Sequence, residues 1–115
     1  MTRILVVDRT LSVREALAFV LELEGHDVFQ AEHGRQALAI VASEEVEVVL
    51  ADAQMRDLPF AVFCASLRRT APHVRVVVMS LDVTDGPATA PCEPAAFLPK
   101  PFPAPVLLEA VALAA

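Results

Sequence analysis

ILVVDRTLSVRE, Ile4 to Glu15, is the stretch from which the rest of the chain is read. Four aliphatic residues in a row, Ile4 to Val7, lack the alternation of a half-exposed strand and predict a short strand buried on both faces, as in a parallel sheet. The run ends on an acid, Asp8, with a base, Arg9, beside it. A carboxylate at the carboxyl end of such a strand stands where open α/β sheets bind ligands. What it can hold depends on the other residues at that edge.

Working outward, similar apolar runs recur: DVFQA (Asp27 to Ala31), VEVVLA (Val46 to Ala51), VRVVVM (Val74 to Met79) and AAFL (Ala95 to Leu98). The segments between them have helical periodicity. The first predicted helix runs from about Val13 to Glu24 with Ala16, Leu17, Val20 and Leu23 inward, opening on a capping-box pattern from Ser12 to Glu15 and stopping at Gly25. The second begins near Gly34 and turns Ala37, Leu38, Ile40 and Val41 inward; the third covers about Pro59 to Arg69, with a proline suited to a first turn; the last covers Pro103 to Ala115. Strands alternating with helices predict parallel βαβ units with right-handed crossovers, hence an α/β fold with a five-stranded, doubly wound sheet. The segment DVTDGPATAPCEPAA, Asp82 to Ala96, interrupts the pattern. Pro87, Pro91 and Pro94 each remove a donor and disfavour helix at the preceding residue, so the fourth helix is expected to be short, irregular or missing.

With 115 residues the chain is expected to form one domain, 1–115, and its 56% hydrophobic content suffices for a sizeable core. No apolar run is long and charge-free enough for a bilayer and the amino terminus lacks signal-peptide features, so a soluble, cytoplasmic chain is expected. The net charge of −6 is spread along the chain and the bases form no stripe, which argues against direct nucleic-acid binding. Cys64 and Cys92 are too few for a disulfide framework and lack metal-ligand spacing, so both are expected reduced, in or near the core; His26, His33 and His73 are isolated and expected at surfaces or edges. With only Gly25, Gly34 and Gly86, no glycine-rich loop exists for a dinucleotide or flavin phosphate.

At the carboxyl ends of the predicted strands stand Asp8, Asp52, Ser80 and Lys100. Two carboxylates, a hydroxyl and an ammonium in one crevice suit phosphoryl chemistry: one carboxylate as nucleophile, the cation on phosphate oxygens, the hydroxyl donating to another. Each alone is weak evidence, whereas four at successive strand ends is specific.

ILVVD, VVLADAQM, VVVMS and FLPKPF resemble the strand-end motifs of receiver domains of bacterial two-component response regulators, and the resemblance covers essentially the whole chain. It implies the flavodoxin-like (βα)5 receiver fold, a signalling rather than enzymatic role apart from assistance to the domain's own phosphotransfer and dephosphorylation, and a histidine kinase or phosphotransfer protein as donor. It leaves the output protein unidentified and a homodimer open. By position it makes Asp52 the phosphoacceptor, Ser80 the hydroxyl that contacts the phosphoryl group, Lys100 its cation, and Asp8, Asp52 and the Gln54 backbone carbonyl the ligands of Mg²⁺. Ser80 and Phe97 take the family's switch positions, the surface change falling near the fourth helix and fifth strand, and Lys100-Pro101 the place of its cis bond.

The departures are specific. Where the family has a second acid after the first strand, expected to touch Mg²⁺ directly, this chain has Arg9. Arg56 replaces a proline, Phe60 a glycine, and Leu81 a small residue whose enlargement is expected to narrow access to Asp52. Arg9 is expected to turn inward, pair with Asp8 or Asp52 and leave Mg²⁺ weak or absent; Asp57 is read as a solvated loop acid, with a replacement metal ligand as the alternative. Two other functions compete: a pseudo-receiver that binds partners without phosphorylation, and a phosphatase resembling haloacid-dehalogenase-like hydrolases, which the Thr10 position and the chain length disfavour.

Overall fold

A computed structural model describes residues 1–81 and 92–115. Its elements are β1 (Arg3–Val7), α1 (Leu11–Leu23), β2 (Asp27–Ala31), α2 (Gly34–Ser43), β3 (Val48–Asp52), α3 (Phe60–Thr70), β4 (Arg75–Ser80), β5 (Ala96–Pro99) and α4 (Ala104–Ala114). The strands form one parallel sheet in the order β2-β1-β3-β4-β5. This is the predicted doubly wound architecture. The predicted irregular fourth helix falls mainly on residues 82–91, outside the described residues.

The central strands are buried on both faces, and alternate residues serve two cores. Leu5, Val7, Val49, Ala51, Val76 and Val78 face Ala37 and Val41 of α2 and Phe63 and Leu67 of α3. Ile4, Val6, Val48, Leu50, Val77 and Met79 face Leu21 of α1 and Leu107 and Val111 of α4. The uninterrupted aliphatic runs thus follow from helices on both sides.

Three expectations need correction. First, α1 starts at Leu11 with Thr10 as its N-cap and no side-chain cap bond, so the Ser12–Glu15 capping box does not form. The Asp8 carboxylate accepts from the Thr10 N–H at 2.9 Å and the Arg14 guanidinium donates to the Asp8 carbonyl at 2.8 Å, which bends the chain into the helix before Ser12. Second, the inward stripe of α1 is Ala18 and Leu21 with Leu17 and Val20 beside them; Ala16 is exposed and Leu23 is 70% exposed. The predicted stop does hold: Gly25 has φ 86°, a left-handed conformation suited to glycine, and its N–H donates to the Glu22 carbonyl at 2.9 Å.

Third, the cysteines are not reduced. Cys64 on α3 and Cys92 in the turn before β5 form a disulfide, with their Cα atoms 5.0 Å apart. Both are fully buried, and the Arg68 guanidinium donates to the Cys92 carbonyl, so the entry to β5 is tied to α3 twice.

Candidate functional site

The fold brings all four predicted strand-end residues to one edge. Asp8 directly follows β1, Asp52 ends β3, Ser80 ends β4 and Lys100 directly follows β5. Because β1 and β3 are neighbours, the two carboxylates lie side by side. The Lys100 N–H donates to the Ser80 carbonyl at 2.8 Å, continuing the ladder one residue past β5. Its ammonium then bridges both acids, at 2.6 Å from Asp8 Oδ2 and 2.9 Å from Asp52 Oδ2. The Lys100-Pro101 bond is cis.

Each carboxylate uses its other oxygen on the backbone: Asp8 Oδ1 accepts from Thr10 N–H and Asp52 Oδ1 from Gln54 N–H, both at 2.9 Å. The Asp8 side chain has 0% exposure, Asp52 11% and Lys100 15%. Ser80 is wholly buried beside them. Burial pulls the Lys100 pKa down, but its bonds to Asp8 and then Asp52 outweigh this and hold it above the usual lysine value. The ammonium therefore stays charged.

Arg9 does not occupy the acid pair as expected. It is exposed, and among the described residues it makes no hydrogen bond or ion pair. The physical reason is occupancy: one ammonium already bridges both carboxylates, and a guanidinium beside it would bury a second positive charge. Arg9 instead lines the rim of a groove of about 510 Å³ shared with Asp52, Gln54 and Lys100, and with Leu17, Leu81 and Phe102 on its apolar walls. Leu81 is one wall and stays 65% exposed.

Two features were not foreseen. Arg14 holds the β1–α1 turn through the Asp8 carbonyl, as above. Asp57 caps a neighbouring helix: its carboxylate accepts from Gly34 N–H and Arg35 N–H of α2, both at 2.9 Å, and lies 3.2 Å from His33 Nδ1. With both oxygens engaged in capping α2 it is not a solvated loop acid. Burial raises its pKa, yet the Arg35 and Gly34 N–H bonds, its own amide and His33 lower it further, leaving it below the usual carboxylate value. A Cβ at Gly34 would meet Leu58 Cδ1 at 3.0 Å, Met55 Sδ at 3.1 Å and Asp57 Oδ1 at 3.3 Å, so a larger residue there would have to displace these side-chain ends by a few tenths of an ångström. Nothing in the sequence near either residue signals this pairing, which joins positions 23 apart.

Phe60 stacks on Phe63 with ring centroids 6.1 Å apart, Arg56 is exposed, and Phe97 on β5 is half-buried. Among the described residues no cluster of three or more His, Cys, Asp or Glu could hold a metal, and no helix is long and apolar enough to cross a membrane.

Residues 4–112 match the family model of the response regulator receiver domain. The chain belongs to that family. Receiver domains are signalling modules of two-component systems and in general not enzymes, and response regulators interact with histidine kinases or phosphotransfer proteins. This leaves the phosphatase alternative without support. The chain is similar to the response regulator MprA of Mycolicibacterium vanbaalenii, at 35% identity over 102 residues, covering 87% of this receiver and 44% of that protein. The response regulator MprA of Mycobacterium avium is 33% identical over the same length, with 87% and 45% covered. The receiver thus spans less than half the length of the curated relatives it matches. In fold it is similar to response regulator TrrA of Thermotoga maritima, solved in complex with Mg²⁺-BeF (TM-score 0.90, 24% identity, 100% of both chains). It is likewise similar to the chemotaxis regulator CheY4 of Vibrio cholerae (TM-score 0.89, 22% identity, 100% and 99% covered).

Proposed function

We propose that this receiver accepts a phosphoryl group on Asp52 from a histidine kinase or phosphotransfer protein and relays it to an output partner through Ser80 and Phe97. The observation that carries this reading is the position of Arg9. With the guanidinium outside the acid pair, Asp52 faces the groove with Lys100 at 2.9 Å, and nothing among the described residues plugs the pocket in the manner of a pseudo-receiver.

Each Asp52 oxygen accepts one bond and keeps a lone pair, so one can attack phosphorus while the other stays held. Lys100 orients the nucleophile and, staying protonated, offsets the charge of roughly −1.5 to −2 that phosphate brings. Asp8 fixes Lys100 from the opposite side. Ser80, at the end of β4, and Phe97, paired through Val78 of the same strand, are the residues through which a new charge at Asp52 would reach the face of β5.

The family's metal is Mg²⁺, and Asp8, Asp52 and the Gln54 carbonyl fit a hydrated ion, which keeps several waters and needs only one or two carboxylates. When bound, Mg²⁺ neutralises charge on phosphoryl oxygens. Its hold here is weak, because Asp8 is engaged with Lys100 and Thr10 and a second cation, Arg9, stands at the rim.

The reading is tested by incubating the chain with a small acyl phosphate and weighing it intact. One adduct, lost in Asp52→Asn, supports it. No adduct under any condition points to the phosphorylation-independent binding module.

A further inference from the structure

We infer that Arg9 is a phosphate-binding residue, its guanidinium taking phosphoryl oxygens on Asp52 and carrying charge that a divalent cation would otherwise carry. This rests on Asp52 being the acceptor. The first support is the charge of the groove. Among the described residues, the ionisable side chains lining it are one carboxylate, Asp52, and two cations, Arg9 and Lys100. The other acid, Asp8, has no exposed side-chain surface, and both of its oxygens are already bonded. An arriving anion therefore meets the complementary charge, and an arriving cation does not.

The second support is that Arg9 has no structural employment among the described residues. Arg14 is bonded to the Asp8 carbonyl, Arg3 is paired with Asp27 and Glu44, and Arg68 donates to the Cys92 carbonyl; Arg9 has no such partner. The third is the count of donors. Lysine has three N–H donors, and Lys100 spends two on Asp8 and Asp52, which leaves it one; with the Ser80 hydroxyl on a second phosphoryl oxygen, the third still lacks a side-chain donor. An arginine fork reaches two oxygens at once.

In the transfer, an Asp52 oxygen forms its bond to phosphorus as the donor's N–P or O–P bond breaks, and the donor leaves with the electron pair. A histidine donor then takes a proton from water, whereas a carboxylate donor needs none. Arg9 and Lys100 remain protonated throughout, so the charge they offset is that of the phosphoryl group.

The test uses the full chain as wild type, Arg9→Gln and Arg9→Lys, with a small acyl phosphate in EDTA or in saturating Mg²⁺, followed by intact mass. Wild type is expected to form its adduct in EDTA at a rate within about tenfold of that in Mg²⁺, Arg9→Gln to lose about tenfold or more in EDTA, and Arg9→Lys to recover part. Inorganic phosphate, titrated against the unphosphorylated chains in EDTA by NMR, should bind Arg9→Gln about tenfold more weakly than wild type. Adduct formation that requires Mg²⁺ in wild type and is no different in Arg9→Gln overturns the inference, as does equal phosphate affinity. If no chain forms an adduct, the Asp52 reading fails, and the phosphate titration alone decides the fate of Arg9: equal affinities refute its role.

Discussion

Reducing the Cys64–Cys92 disulfide should cost a large share of the stability of the domain. The bridge closes a loop across a sequence separation of 28 that contains the end of α3, all of β4 and the turn into β5. In the chain-entropy model a loop of that length corresponds to about 3.6 kcal/mol, against a total of roughly 5–15 kcal/mol for a typical domain. With a urea m-value of roughly 1–3 kcal/mol/M, the unfolding midpoint of the reduced chain should fall by about 1 M or more. The Arg68 guanidinium still holds the Cys92 carbonyl after reduction, so the native fold should persist with a looser entry to β5. The assay is urea unfolding by circular dichroism of the oxidised chain and of chain refolded with a thiol reductant. A Cys64→Ala/Cys92→Ala variant, indifferent to reductant, provides the control. If the native chain yields two titratable thiols, or its midpoint does not move with reductant, the reasoning fails.

Lys100→Met should destabilise the domain by about 3 kcal/mol or more, because it strands the buried Asp8 carboxylate, and adding Asp8→Asn should recover much of the loss; thermal unfolding of both variants measures this. Arg9→Asp should bind Mg²⁺ more tightly than wild type in a direct titration, since a hard oxygen replaces a repelling cation; identical titrations would remove Arg9 from the electrostatics of the pocket. Asp57 has a folded pKa below its unfolded one, so its contribution is present above the unfolded pKa of ordinary aspartate and is lost as pH falls through the depressed folded value. Asp57→Asn should therefore be less stable than wild type at neutral pH, with the gap closing in acid below about pH 4.

The sheet was legible because its signal is local and redundant: runs such as Ile4 to Val7 and Val74 to Met79 are apolar without alternation, and only burial on both faces explains them. The site was legible for a related reason. In a parallel sheet every strand delivers its last residue to the same edge, so Asp8, Asp52, Ser80 and Lys100 could be placed together before any distance was known. What failed depended on pairings between distant segments or on competition for one place. The side-chain direction of Arg9 turned on Lys100 already bridging the acids; the disulfide turned on α3 presenting Cys64 to the turn before β5. The Asp57 cap on α2 requires a loop and a helix terminus that only the sheet order makes neighbours. The start of α1 was misread for a local reason: an acid before the helix, Asp8, captured the Thr10 amide and moved the cap forward of Ser12.

The central claim, that Asp52 is the phosphoacceptor, is tested most directly by locating the phosphoryl group on the chain. Treatment with an acyl phosphate, reduction of the resulting aspartyl phosphate with hydride to homoserine, and peptide sequencing by mass spectrometry should find homoserine at position 52 alone. Homoserine at Asp8 or Asp57, or label that persists after Asp52→Asn, would contradict the account.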